Sequence, residues 1–309
     1  MSQYEEKPCF LNGKYLPLKD ANINIRTHAL QYGTACFGGI RAYYNKNKDN
    51  LYIFRLKEHY NRLLNSSKIL QMTMSYSYEE FENILITCLK KGEWKENAYI
   101  RPILYKSDLE LSPRLHNVKD SFSVYIIPLN DYLDIEKGLN TCVSSWVRIE
   151  DNQIPTRAKA TGGYINSALA KSEALQNGFD EAIFLDSGKF VSEGSASNLF
   201  LVKNNELITP DLPSSILEGI TRRTVLTLAE ENNIKFKERR VGRTELYTAD
   251  ELFFAGTGVQ IAWIKTVDKR TIGEGKMGPI TKKLHDQYFD IVTGKLEKYS
   301  NWLTAVYDK

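Results

Sequence analysis

Two hydrophobic rhythms alternate along the chain. "LYIFRL" (51–56) is a short apolar run that predicts a strand. In "EHYNRLLNSSKIL" (58–70), His59, Leu63, Ile69 and Leu70 recur at roughly helical spacing, so a helix follows. "SYEEFENILITCLKKG" (77–92) is a clearer helix, with Phe81, Ile84, Leu85, Cys88 and Leu89 on one apolar face. Ser77 can cap it, Glu80 stands three residues on as a capping box requires, and Gly92 can end it. "AYIRPILYK" (98–106) and "SFSVYIIPL" (121–129) read as strands, and the proline in each predicts an edge or an end.

The rhythm breaks at "LNDYLDIEKG" (129–138), which is polar and turn-rich. This predicts a small N-terminal domain over 1–128, a linker over 129–138 and a larger C-terminal domain over 139–309. Past the linker, short strands alternate with helices: "TCVSSWVRI", "EAIFLD", "KFVSE", "NLFLVK", "ELITP", the helix "GITRRTVLTLAEENN", "IKFKERRV", "DELFFAG", "IAWIKTVD", and a last helix from Gly278. "DSGK" and "KNNEL" are hairpin turns. The order is irregular, so the fold class expected is two-domain α+β, not a doubly wound sheet.

Composition narrows the function. At 42% hydrophobic and 26% charged residues, the 309-residue chain is ordinary globular protein, long enough for two domains. A net charge of +3 and the absence of long like-charge runs give nucleic-acid binding little support. The densest basic patch, "KERRVGR" (237–243), reads as a solvated face. Cys9, Cys36, Cys88 and Cys142 form no C-x-x-C pair, and His28, His59, His116 and His285 are scattered, so no metal site is expected. Unpaired thiols, a polar N-terminus and the lack of an 18-residue apolar run predict a cytoplasmic protein. "GEGKMG" (273–278) matches a dinucleotide fingerprint, but no βαβ unit can follow it, so it reads as a glycine-rich turn.

Four places could carry chemistry. Lys159 in "IPTRAKATGGY" stands among small apolar residues before a helix. Such surroundings lower an amine's pKa and free it for Schiff-base chemistry, while Gly162 and Gly163 let a flat ligand approach; an exposed loop lysine is the plain alternative. Glu193 in "VSEGSASNLF" could enter a crevice as the acidic partner of a pyridinium nitrogen, or be a turn glutamate. "EGITRR" (218–223) opens a helix whose N–H groups, with the Thr221 hydroxyl, suit an anion, or is an ordinary surface helix start. "FFAGTGVQ" (253–260) ends a strand with Thr257 and adjacent N–H groups fit for a carboxylate, or simply forms a hairpin turn. Arg101, inside an apolar strand, should have a partner.

The order of these pieces matters more than any one of them. From "FLNGKYLPLKDANINIRTHALQYGTACF" to "GPITKKL" the chain resembles the branched-chain amino-acid aminotransferases, of the fold-type IV pyridoxal-phosphate enzymes with the D-amino-acid aminotransferase-like fold. "HALQYGT", "HYNRL", "AYIRP", "SSWVR", "IPTRAKA", "SEGSASNLF", "EGITR" and "GTGVQI" stand in the family's order and spacing. The resemblance implies pyridoxal 5'-phosphate as cofactor and Lys159 as Schiff-base lysine and proton shuttle. It implies Glu193 at the pyridine nitrogen, Arg62, Ile220 and Thr221 around the phosphate, Tyr164 at the phenolic oxygen and Thr257 beside the cofactor. Tyr99, Thr257 and Gly258 would grip the substrate α-carboxylate, Arg101 the second carboxylate of glutamate, and Phe37 would line the side-chain pocket. Tyr32 and residues near Leu111 would come from a second subunit, implying a homodimer. The implied reaction moves the amino group of leucine, isoleucine or valine to 2-oxoglutarate.

Three departures from the family pattern bear on substrate choice. "FGGIR" carries Gly38 where "FEGIR" is usual, Leu129 stands where some relatives have tryptophan, and "GTGVQI" replaces "GTAAEI". D-amino-acid aminotransferases and 4-amino-4-deoxychorismate lyases share the lysine and the glutamate and remain alternatives. A cofactor-free binding protein is a third, opposed by the joint presence of Lys159, Glu193, Arg62 and Thr221.

Overall fold

A computed structural model describes residues 4–129 and 137–307. Residues 130–136 of the expected linker therefore lie outside the described residues. The chain forms two compact units. Unit one is Met1–Asn130 with Ala158–Gly162 and Asp290–Lys309, and unit two is Asp131–Arg157 with Gly163–Phe289. This differs from a single division at the linker: the short Lys159 segment and the C-terminal tail both belong with the N-terminal unit.

Unit one begins with β1 (Pro8–Leu11), β2 (Lys14–Pro17), α1 (His28–Tyr32), β3 (Ala35–Phe37), β4 (Ile40–Asn45) and β5 (Asn50–Phe54). Two helices follow, α2 (Leu56–Ile69) and α3 (Tyr78–Lys91), then β6 (Ala98–Lys106) and β7 (Asp120–Pro128). Unit two carries β8 (Leu139–Val147), α4 (Tyr164–Gln176), β9 (Glu181–Leu185), β10 (Val191–Gly194), β11 (Asn198–Lys203), β12 (Glu206–Thr209), α5 (Ile220–Glu231) and β13 (Phe236–Glu238). It continues through α6 (Arg243–Tyr247), β14 (Glu251–Gly256), β15 (Gln260–Val267), β16 (Arg270–Thr271) and α7 (Pro279–Val292). The tail then contributes β17 (Leu303–Ala305). Two mixed α and β units bear out the α+β expectation. Among the described residues no helix is long and apolar enough to cross a membrane.

The unit-one sheet is antiparallel and runs β17-β5-β4-β6-β7-β1-β2, with β3 also on β6. The tail beyond the last helix thus contributes an edge strand. Pro128 does end its strand, as expected. Pro102 does not mark an edge, because β6 is paired on both sides. It sits where β3 has stopped at Phe37 and β4 has not begun, beside Gly38 and Gly39. No N–H is required of it there, and its carbonyl accepts from the Gly38 N–H at 2.9 Å.

The helix α3 forms as its sequence predicts. The Ser77 side chain accepts from the Glu80 N–H at 3.3 Å, and Glu80 accepts from the Ser77 N–H at 2.7 Å. Phe81, Ile84, Leu85, Cys88 and Leu89 are its buried face, and burying each large side chain contributes about 1.5–3 kcal/mol. Gly92 caps the other end with an ordinary right-handed φ of −83°, so its freedom from a side chain is not used for a left-handed turn.

The unit-two sheet is mixed and runs β10-β9-β8-β15-β14-β11-β12-β13, with β16 on β15. "DSGK" and "KNNEL" make the expected hairpins β9–β10 and β11–β12. The basic patch is not merely solvated: Lys237 pairs with Glu206, Arg239 with Glu245 and Arg243 with Asp268. Lys171 on α4 lies 2.9 Å from the buried Glu181 carboxylate. "GEGKMG" is a turn, and its last glycine has a steric cause. Glu251 caps α7 by accepting from the N–H groups of Ile280 (3.1 Å) and Thr281 (2.7 Å). A Cβ on Gly278 would fall 2.1 Å from that carboxyl carbon.

One buried polar group in unit one is conspicuous. His59 on α2 is 3% exposed, and its Nδ1 has no hydrogen-bond partner among the described residues. Burial, reinforced by the positive charges of Arg62, Lys159 and Arg55, pushes its pKa well below the ordinary value.

Both the capping box and the buried imidazole can be tested by substitution. Ser77→Ala should lower stability by about 1 kcal/mol, read from the shift of a urea unfolding curve. His59 stays neutral when folded but takes up a proton when unfolded below pH about 6.5. Its contribution is complete above that pH and is lost as pH falls toward the folded value. The thermal midpoint of His59→Leu should therefore fall less than that of the parent between pH 7 and pH 5. Equal falls in the two proteins would refute this assignment.

Candidate active site

Lys159 belongs to a segment without regular structure, so its backbone groups need individual partners. In unit one they have them. The Lys159 N–H donates to Ser66 Oγ at 3.1 Å, and its carbonyl accepts from the Phe37 N–H at 3.1 Å. Ala160 forms an antiparallel bridge with Cys36. Thr161 Oγ1 donates to the Gly33 carbonyl at 2.8 Å, and the Gly162 N–H reaches the same oxygen at 3.2 Å. A Cβ on Gly33 would lie 2.8 Å from Gly162 Cα. Gly162 therefore serves a close backbone-to-backbone approach. Gly163, the residue before α4 in unit two, faces Ile149 and Ile154.

In unit one Lys159 and Arg101 share one aromatic face. The Lys159 Nζ lies 5.1 Å from the Phe37 ring centroid, and the Arg101 guanidinium lies 4.2 Å from the same ring. Arg101 has the partner its position demanded, but that partner is no acid: it donates to the Tyr99 hydroxyl at 2.8 Å. A Cβ on Gly39 would fall 2.4 Å from that hydroxyl, so only glycine leaves Tyr99 where it is. Arg62 stands on α2 one turn beyond His59, whose suppressed basicity registers both Arg62 and Lys159. The helix thus offers His59, Arg62 and Ser66 along one stripe. A cationic, half-buried surface of this kind suits a phosphorylated, carboxylate-bearing ligand set.

Tyr32 ends α1, with its ring 4.7 Å from that of the fully buried His28. His28 Nε2 lies 2.7 Å from the Ser112 carbonyl, and its Nδ1 2.7 Å from Thr34 Oγ1. Because a carbonyl only accepts, Nε2 carries the proton, and His28 ties α1 to the loop bearing Leu111. Leu111 itself is 79% exposed.

In unit two, Glu193 is buried at 4% exposure at the end of β10. Arg148 holds one carboxylate oxygen at 2.8 Å. The other accepts from Asn198 Nδ2 at 3.0 Å and from the Leu217 N–H at 3.2 Å. A carboxylate so fixed can meet a protonated ring nitrogen without rearranging. Ile220 and Thr221 are buried in the first turn of α5. The preceding Gly219 provides no capping side chain and the turn holds no acid, which leaves helix N–H groups and dipole for an external anion. A Cβ on Gly219 would lie 2.1 Å from Asn198 Oδ1, so the glycine also seats the residue that holds Glu193. Tyr164 is the first residue of α4. Thr257 and Gly258 lie in the tight β14–β15 turn, where a Cβ on Gly258 would meet nothing within 4 Å.

Lys159, Arg62, Phe37, Tyr99 and Arg101 thus fall in unit one, and Glu193, Tyr164, Ile220, Thr221, Thr257 and Gly258 in unit two. Residues that sequence reasoning left without a role are Ser66, His59, Arg148 and Asn198. His59, Arg148 and Asn198 fall inside quoted motifs, which is the signal that could have found them. Ser66 has none, being one small polar residue in an amphipathic helix. Cys36, beside this segment, is pushed up to about 12 by burial and by Asp120, so its thiol is no nucleophile at neutral pH.

The donor sets fit a cofactor with an aldehyde, a ring nitrogen and a phosphate. Residues 35–267 match the family described as amino-transferase class IV. A probable branched-chain-amino-acid aminotransferase from Aquifex aeolicus is 48% identical over 301 residues, covering 97% of each chain. A branched-chain aminotransferase structure from Thermoproteus uzoniensis with norvaline superimposes with a TM-score of 0.93 at 41% identity, covering 97% of this chain and 99% of that one. The branched-chain amino acid aminotransferase from Thermobaculum terrenum, in its PLP form, gives a TM-score of 0.94 at 36% identity, covering 99% of this chain and 100% of that one. A lysine pinned at both backbone poles, a buried carboxylate on a guanidinium, and likeness along nearly the full length lead to one conclusion: this chain belongs to the class IV aminotransferase family.

Proposed function

We propose that this protein moves the amino group of leucine, isoleucine or valine, as L-amino acids, to 2-oxoglutarate in the cytoplasm, with pyridoxal 5'-phosphate as cofactor. The observation that carries the reading is the 48% identity, along 97% of the chain, to a relative named for branched-chain substrates. When bound, the cofactor supplies the electron sink and the carbonyl that accepts and returns the amino group.

The chain's residues supply the rest. Lys159 would hold the cofactor covalently and, once its amine is released, take and return the substrate's α-proton. Its fixed backbone confines the motion to the side chain. Glu193 would meet the ring nitrogen, with Arg148, Asn198 and the Leu217 N–H preventing its rotation. Arg62, Ile220 and Thr221 would hold the phosphate, Tyr164 the phenolic oxygen, and Thr257 would lie beside them. Tyr99, Thr257 and Gly258 would take the substrate carboxylate. Phe37 would line an apolar pocket and Arg101, stacked on it, would read the second carboxylate of glutamate. A pocket with an apolar wall and a guanidinium at its rim can alternate between a branched side chain and an acid. Tyr32 and the loop bearing Leu111 would serve a second copy in a homodimer. Support for that reading comes from Ile25, Leu30 and Leu111, which are exposed apolar side chains on unit one.

The half-reaction tests the proposal. The cofactor's visible absorption should convert with L-leucine and not with D-leucine, and Lys159→Ala should lower kcat by at least about a thousandfold. Conversion by the D-isomer alone would overturn it, and release of pyruvate from aminodeoxychorismate without an oxo-acid acceptor would replace it with a lyase.

Gly38 and Leu129 should set the side-chain profile. A Cβ at Gly38 falls 2.7 Å from Pro102 Cγ, so a glutamate there must displace the proline ring behind Phe37. Leu129 contributes its carbonyl to the buried Arg41 at 2.7 Å, which substitution preserves. In Gly38→Glu combined with Leu129→Trp, the relative rates for leucine, phenylalanine and glutamate should shift by about tenfold, as one or two altered side-chain contacts allow. Unchanged ratios would show that these positions do not face substrate.

A further inference from the structure

Ser66 is fully buried on α2 and makes two hydrogen bonds of different kinds. Its hydroxyl donates to the Arg62 carbonyl at 2.9 Å and accepts from the Lys159 N–H at 3.1 Å. One oxygen therefore joins the helical turn that carries Arg62 to the peptide that carries Lys159. Beyond it, the Lys159 carbonyl is engaged by Phe37, so the Ser66 bond fixes the remaining pole of the residue. Ser67, the next residue, is a natural control. It is also buried, and its hydroxyl donates to the Leu64 carbonyl at 2.8 Å, a bond confined to its own helix.

We propose that Ser66 is a positioning residue for the amino-transfer reaction, holding the Lys159 backbone at a set distance from the Arg62 turn. The inference rests on the proposed role of Lys159. A lysine that is first bound to a cofactor and then shuttles a proton has a long, flexible side chain, and its reach is defined only if its Cα does not move. Without the Ser66 oxygen, the Lys159 N–H is a buried donor lacking its acceptor, and the segment relaxes to find another. Small displacements of a reacting group cost rate far more than binding.

The test uses the full chain loaded with pyridoxal phosphate, comparing parent, Ser66→Ala, Ser66→Cys, Ser66→Thr and Ser67→Ala. Hydrogen exchange of the peptide spanning 155–163, read by mass spectrometry, should show one amide speeding at least about tenfold in Ser66→Ala, as loss of one buried hydrogen bond predicts. The kcat for L-leucine should fall about tenfold with KM within about threefold, and the pH midpoint of the cofactor's visible band should move. Ser66→Thr, which keeps the hydroxyl, should restore all three readouts, and Ser67→Ala should move none. If Ser66→Ala does not fold, Ser66→Cys, a weaker acceptor of similar size, gives the same pattern in smaller degree. Unchanged exchange, unchanged kcat, or equal losses in the Ser66 and Ser67 variants overturn the proposal. A parent protein that fails to transaminate at all defeats the functional reading instead, while the exchange result still decides whether Ser66 holds Lys159.

Discussion

The constraint on which the rest depends is that the peptide groups of Lys159, which lies in no helix or strand, must find partners elsewhere in unit one. Its N–H meets Ser66 and its carbonyl meets Phe37, while nearby the Thr161 hydroxyl reaches Gly33 and Ala35 and the Gly162 N–H reaches Gly33. Those partners come from α2, from β3 and from the turn after α1. The elements of unit one are thus organised about a segment that is distant in sequence. Gly33 shows the tolerance involved. Its φ of +66° closes α1, its carbonyl takes two donors from the segment, and a Cβ would strike Gly162.

Buried charge is managed differently in the two units. In unit one cations gather near an imidazole whose pKa burial holds well below its ordinary value, and around an aromatic face. In unit two the Glu193 carboxylate is fully provided with donors, which offsets the cost of burying it. The first arrangement is built to receive charge and the second to present it.

One departure from the family pattern meets a rigid neighbour. Gly38 occupies the gap between β3 and β4, against the rigid ring of Pro102. A change there acts on the strand that carries Phe37 and, across the register, on Arg101. Gly39 has no side chain because Tyr99 places its hydroxyl there.

Much of this protein was legible in its residues. The helical face of α3 and its capping box follow from local spacing, since a helix repeats within itself and needs no distant partner to be recognised. The motif order identified the family, because chemistry restricts residue type more severely than packing does. Other features could not be read that way. Pro102 sits inside a doubly paired strand because two other strands happen to break beside it. The tail becomes an edge strand because β5 has a free side. Lys171 is paired because Glu181 is brought to it. Ser66 binds Lys159 across 93 residues of chain, a partnership no local pattern encodes. Local periodicity and motif order are properties of one stretch of chain and are decided by the sequence alone. Who satisfies a given N–H or buried charge depends on which elements fold against it, and only the tertiary structure decides that.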